Sequence, residues 1–229
     1  MDISDDSKNK KCSLILKGAR VMIRNRERMP WHDIDVEAFA MANNLPKTLR
    51  ALICAREFFN LVKRKDGRDE FVHSYRVAQI LIFHRIFSDD ILAAGLLHDV
   101  PENINLGLLD NIREGFGENI ELMVFILTRR ENEDIRFYFA RISEDSVTIL
   151  AKLADRLHNL RNMTKNLGKD DFFTERRLSD QIEETWEYLV PMAVRAGEID
   201  CQHREVIVEI HEELLRSLAD AEWAMLNFK

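Results

Sequence analysis

Four side chains carry donor atoms of the kinds that bind a divalent transition metal. They are His73, the adjacent pair His98–Asp99 in LAAGLLHDVPEN, and Asp155 in KLADRLHNLRNM. Two imidazoles and two carboxylates suit an octahedral manganese or iron ion, with cobalt as a further alternative, better than calcium, which prefers oxygen shells. Zinc is also an alternative, although closed tetrahedral zinc sites are usually rich in cysteine. None of the four does much chemistry alone. With a metal they lower the pKa of water and make it a nucleophile near neutral pH. The set reads as a metal-dependent hydrolase.

Other polar residues are spaced to serve the same site. Glu102 lies four residues after His98, where a carboxylate can orient water or pass a proton to a leaving group. Asn159 is one helical turn after Asp155 and shares its face, so its amide can reach a substrate or the water. Arg64 and Lys65 sit in the basic, glycine-containing loop KRKDGRDE, nine and eight residues before His73. Their side chains suit a phosphate or the face of a base.

The elements that must position these residues read as helices. Apolar residues recur at three- and four-residue spacing along the chain, which holds only eight Gly and four Pro in 229 residues. An all-α helical bundle is expected, its ligands converging from different helices. PKTLRALICAREFFNLVK starts with Pro46 at a helix N-terminus. FVHSYRVAQILIFHRIF is the helix that opens with His73. Ser88 caps SDDILAAGLLHDV, with Asp89 and Asp90 in the favourable first turn, and Pro101 ends or kinks that helix just past the His–Asp pair. EDSVTILAKLADRLHNLRNM is a long helix carrying Asp155. TERRLSDQIEETWEYLVPMAVRAG and REVIVEIHEELLRSLADAEWAM close the chain. Residues 1–45 are the least regular and read as an N-terminal extension, partly disordered or folded over the core; residues 46–229 read as the domain proper.

Composition narrows the class further. The chain is 46% apolar and 32% charged, a soluble globular profile, and its net charge of −7 argues against bulk attraction to nucleic acid. Cys12, Cys54 and Cys201 are odd in number and lack ligand spacing, which fits a reducing cytoplasm. No signal-peptide core is visible at the N-terminus, and no apolar run approaches the ~18 residues of a membrane span. Isolated histidines are usually satisfied core residues, the expected role of His84, His158 and His211; His32 and His203 are expected at the surface. RNRER near Arg24 reads as a solvated face, and Phe58–Phe59 and Phe172–Phe173 as packing.

At the metal-ligand candidates the chain resembles the HD superfamily of metal-dependent phosphohydrolases, most closely the hydrolase domain of RelA/SpoT-type enzymes. The resemblance runs over roughly residues 50–215 and rests on RKDG before His73, LAAGLLHDVPEN, FGENIELMVFILT, KLADRLHNLRNM and ETWEYLVPMAVRAG, in that order. It implies an HD-domain helical bundle in which His73, His98, Asp99 and Asp155 hold a metal, typically manganese. Glu102 matches a catalytic acid, with Asn103 beside it, and Arg64, Lys65 and Asn159 match nucleotide-contacting positions. The implied reaction removes pyrophosphate from the 3′ position of (p)ppGpp, giving GDP or GTP. The implied partner is a guanine nucleotide, with no nucleic acid and no membrane, and a homo-oligomer is left open. The chain ends before the synthetase and regulatory domains of the long enzymes, so a small stand-alone hydrolase is expected. Two departures stand out. The family's usual Glu-Asp pair is Glu102–Asn103 here, and its G-x-P-Y loop reads GRDE from Gly67 to Glu70. They keep two alternatives in view: an HD phosphohydrolase acting on a dNTP or NADPH, and a catalytically weakened nucleotide-binding relative.

Overall fold

The computed structural model describes residues 30–60 and 70–228. Among these residues the regular structure is helical, with no strand, as the periodicity predicts. After a 3-10 turn at Trp31–Asp33 come α1 (Val36–Ala42), α2 (Pro46–Phe59), α3 (Glu70–Phe83), α4 (Asp89–Leu97) and the short α5 (Val100–Asn103). Then follow α6 (Leu108–Phe116), α7 (Glu118–Leu127), α8 (Ile135–Ser143), α9 (Ser146–Asn166), α10 (Glu175–Glu184), α11 (Val190–Ile199) and α12 (Arg204–Asn227).

α4 is the centre of the bundle. Residues Ile91 to Leu97 are all buried, and the helix packs against α2, α3, α7 and α9. This explains why the run carries no polar face: a helix apolar all round belongs in a core. Its start is set as the sequence predicts, with Ser88 Oγ accepting from Ile91 N at 3.4 Å. Asp89 does a second job that the sequence did not reveal. Its carboxylate accepts from Lys47 N at 3.0 Å and Thr48 N at 2.7 Å, capping α2, whose Pro46 has no N–H to offer. One acidic side chain thus pins two helix N-termini together.

α9 is the other axle. It is 21 residues long and packs on α3, α4, α8, α10, α11 and α12. Asp145 caps it, accepting from Val147 N at 2.9 Å and Thr148 N at 3.3 Å. Between α6 and α7 the chain turns at Gly117 with φ +92°, a backbone conformation that favours glycine. The long segment after Thr174 is not one uniform helix. A π turn at Thr185–Leu189 separates α10 from α11, and Pro191, which lacks an N–H and crowds the preceding turn, supplies the physical reason.

The part of the 1–45 segment that is described lies over the core. Ile34, Val36, Phe39 and Ala40 are buried, and Val36 N donates to Tyr75 Oη at 3.0 Å. Gln79 Nε2 donates to Ile34 O at 2.5 Å, tying the segment to α3. Phe59 and Phe173 are core residues, as expected of those aromatic pairs. Among the described residues no helix is long and apolar enough to cross a membrane.

Candidate metal centre

The first helical turns before and after the bundle's middle bring the donors together. His73 comes from the first turn of α3, one turn after Glu70. His98 is the C-cap residue of α4 (φ −56°, ψ −36°), and Asp99 (φ −89°, ψ −6°) begins the corner into α5. The pair therefore lies at the end of the buried helix and not within it, because Pro101 in the first turn of α5 cannot continue α4. Asp155 comes from the middle of α9.

His73 Nε2 lies 3.1 Å from Asp155 Oδ1 and 3.4 Å from Asp99 Oδ2. His98 Nε2 lies 3.1 Å from Asp99 Oδ1 and 3.9 Å from Asp155 Oδ1. Donor atoms of His73, His98 and Asp99 all fall within 4.8 Å of one another. A first-row ion with ~2.1 Å bonds sets adjacent octahedral donors ~3 Å apart. The two 3.1 Å separations match that spacing, and the 3.4 Å one lies a little beyond it. The buried polar atoms point the same way. His98 Nδ1 donates a hydrogen bond to Gly95 O at 2.8 Å, so Nε2 carries the lone pair. That Nε2 is buried and makes no hydrogen bond. A buried nitrogen lone pair beside two carboxylates is the arrangement a divalent cation satisfies, and the residues fit the metal that an HD domain implies.

The layer behind the donors is built to orient them. His73 Nδ1 is 2.7 Å from His158 Nδ1. With His73 Nε2 turned to the donor cluster, Nδ1 donates and His158 accepts. Asp155 Oδ2 accepts from Lys152 Nζ at 2.8 Å, and Oδ1 from Asn159 Nδ2 at 2.7 Å. Burial would raise the Asp155 carboxyl, but the ammonium of Lys152 beside it outweighs that and holds it well below the usual carboxylate range. Burial likewise works against the charge on Lys152, and the Asp155 carboxylate more than restores it. Both members of the pair stay ionised.

His73, His98, Asp99, Lys152, Asp155 and Asn159 line one cavity of about 250 Å3, together with Glu70, Glu102, Asn103, Arg129, Tyr138, Arg156, Gln181 and Glu184. Glu102 Oε2 accepts from Arg129 N at 3.0 Å. Its carboxylate sits at the rim, open to water on one side. Desolvation by the cavity wall, and next the negative charge of Asp99, push it above the usual glutamate range. Arg156 is held in place by Gln181 Oε1 at 2.5 Å and Glu184 Oε2 at 2.7 Å. Acidic and basic groups thus share the walls.

The structure brings seven of the nine sequence-predicted site residues to this cavity: His73, His98, Asp99, Asp155, Glu102, Asn103 and Asn159. Arg64 and Lys65 lie outside the described residues. Sequence reasoning assigned His158 to the core and passed over Lys152. Both were detectable from spacing: each is three residues from Asp155 on α9 and so shares its face. Of the remaining histidines, His84 is buried, with Glu213 Oε2 3.5 Å and Glu209 Oε2 3.7 Å away, and His32 is exposed, both as expected.

Comparison with known proteins agrees with this picture. A GTP pyrophosphokinase of Streptomyces coelicolor is 31% identical over 157 residues, covering 65% of this chain and 18% of that protein. A guanosine-3′,5′-bis(diphosphate) 3′-pyrophosphohydrolase of Aquifex aeolicus is 31% identical over 156 residues, covering 65% of this chain and 21% of that protein. The chain thus spans about a fifth of the length of these relatives. A solved structure, described as a metazoan ortholog of SpoT that hydrolyzes ppGpp and plays a role in starvation responses, shares the fold. It has a TM-score of 0.58 and 22% identity, covering 75% of this chain and 96% of that one. The HD domain model matches residues 51–198, a span that holds all four donors and most of the bundle around them; this chain belongs to the HD domain family.

Proposed function

We propose that this protein is a metal-dependent 3′-pyrophosphohydrolase of (p)ppGpp, with manganese the ion held by His73, His98, Asp99 and Asp155. The observation that carries the reading is the convergence of those four side chains on one cavity whose rim holds Glu102. Support for the substrate comes from the relatives, one named a GTP pyrophosphokinase and the other a guanosine-3′,5′-bis(diphosphate) 3′-pyrophosphohydrolase.

When bound, the ion supplies Lewis-acid activation of water and neutralises phosphate charge. The chain's own residues do the rest. His158, Lys152 and Asn159 fix the donors' tautomer and orientation before the ion arrives. Glu102, raised by its surroundings, is suited to give a proton to the departing 3′ oxygen. Asn159 and Arg156 bind and orient phosphate oxygens. Arg64 and Lys65, which precede α3 in sequence, are assigned to hold the nucleotide's phosphates.

The test is the rate of product release with manganese on ppGpp, GTP, dGTP and NADPH. The proposal expects ppGpp to be preferred by at least about 100-fold, roughly 2.7 kcal/mol of transition-state binding. Equal rates on GTP or dGTP would overturn the alarmone assignment and move the chain to the wider nucleotide phosphohydrolases.

A further inference from the structure

Glu70 opens α3 with only 5% of its surface exposed, and it lines the cavity with Glu102 and Asn103. A carboxylate in such a place needs a hydrogen-bond partner. Asn103 provides one, donating from Nδ2 to Glu70 Oε1 at 3.0 Å. Glu70 is one helical turn before His73, so the same helix that aims a metal donor aims this acid. The two positions at which the sequence departs from its resemblance therefore touch each other: an amide stands at 103, and an acid at 70 faces it. A carboxylate at position 103 would repel Glu70 across 3.0 Å, whereas the amide binds it. The negative charge has moved from position 103 to its hydrogen-bond partner at position 70 and has not been lost.

We propose that Glu70 is a catalytic carboxylate of this site, positioned by Asn103 and acting together with Glu102, which lines the same cavity. In the hydrolysis, water oxygen bonds to phosphorus as the bond from phosphorus to the departing oxygen breaks. The water's proton passes to Glu70, and the departing oxygen takes one from Glu102. Exchange with solvent then restores both groups. This deepens the function proposed above and rests on it.

The experiment compares wild type, Glu70→Gln, Asn103→Asp and the double variant, each loaded with manganese. They are assayed on ppGpp and, in parallel, on bis(p-nitrophenyl) phosphate, a diester that needs no guanine recognition. Glu70→Gln is expected to lower kcat about 100-fold, the usual worth of a positioned base, with KM and bound manganese nearly unchanged. The double variant reverses the hydrogen bond and returns the acid to position 103, so it should recover at least about tenfold of that loss. Asn103→Asp alone sets two acids together and should be slower than the double variant with ppGpp. Full turnover by Glu70→Gln, parallel loss of manganese, or no recovery in the double variant would each overturn the proposal. Should the diester show the Glu70 dependence while ppGpp is untouched, the role of Glu70 stands and the alarmone reading falls. Silence of the wild type on both would overturn both.

Discussion

Replacing His158 by Leu tests whether the layer behind the donors matters to the metal. His73 is buried, its side chain 1% exposed, and its Nδ1 bonds His158 Nδ1 at 2.7 Å. Leu fills a similar volume but accepts no hydrogen bond. The His73 N–H then loses its partner in a buried place, which costs about 1–3 kcal/mol. The ring is also free to take the other tautomer, in which Nε2 carries the proton and offers no lone pair. Loss of such an orienting partner lowers metal affinity by roughly 10–100-fold, or about 1.4–2.7 kcal/mol. Calorimetric titration of manganese into wild type, His158→Leu and His158→Gln measures it directly. The glutamine variant, whose carbonyl oxygen can accept the same proton, should recover part of the loss. Trp31 packs edge-on against His158 with ring centroids 6.4 Å apart, so its fluorescence reports whether the surroundings stay intact. If His158→Leu binds manganese within about twofold of wild type while the fold is intact, the orienting role assigned to His158 is refuted.

Three further outcomes follow from the structure. Asp99→Ala removes a donor shared between His73 and His98, and it should reduce both manganese stoichiometry and hydrolysis to background in parallel assays. Leu97→Ala, at a fully buried position just before His98, should cost about 2–5 kcal/mol in urea unfolding through the cavity it leaves. Glu213 concerns pH. Burial would raise its carboxyl, but His84 and Arg161 outweigh that and hold it at about 2, well below the usual glutamate range. A carboxyl depressed on folding contributes stability above its unfolded pKa and loses it as pH falls through the folded one. Stability should therefore drop between about pH 4.5 and 2, and Glu213→Gln should flatten the drop in that window in acid-unfolding curves.

The fold class, and the meeting of His73, His98, Asp99 and Asp155 at one cavity, were legible because each rests on strong local signals. Helical periodicity survives along α4 and α9, and the His98–Asp99 pair with Asp155 sits in runs whose spacing is set by those helices. What was hidden depends on tertiary contact. The second capping role of Asp89 joins residues forty apart in sequence, and no local pattern announces it. His158 looks like any half-buried helical histidine until α3 brings His73 to it. The end of α4 at Leu97 was blurred because His98 and Asp99 keep near-helical dihedrals through the corner. The bond between Glu70 and Asn103 likewise turns two isolated oddities of sequence into one feature of the cavity.

The most direct test of the account is a crystal soaked in manganese and measured for anomalous scattering. The account predicts a peak within about 2.2 Å of His73 Nε2, His98 Nε2 and carboxylate oxygens of Asp99 and Asp155. A peak held by other residues, or manganese absent from this cluster at saturating concentration, would contradict it.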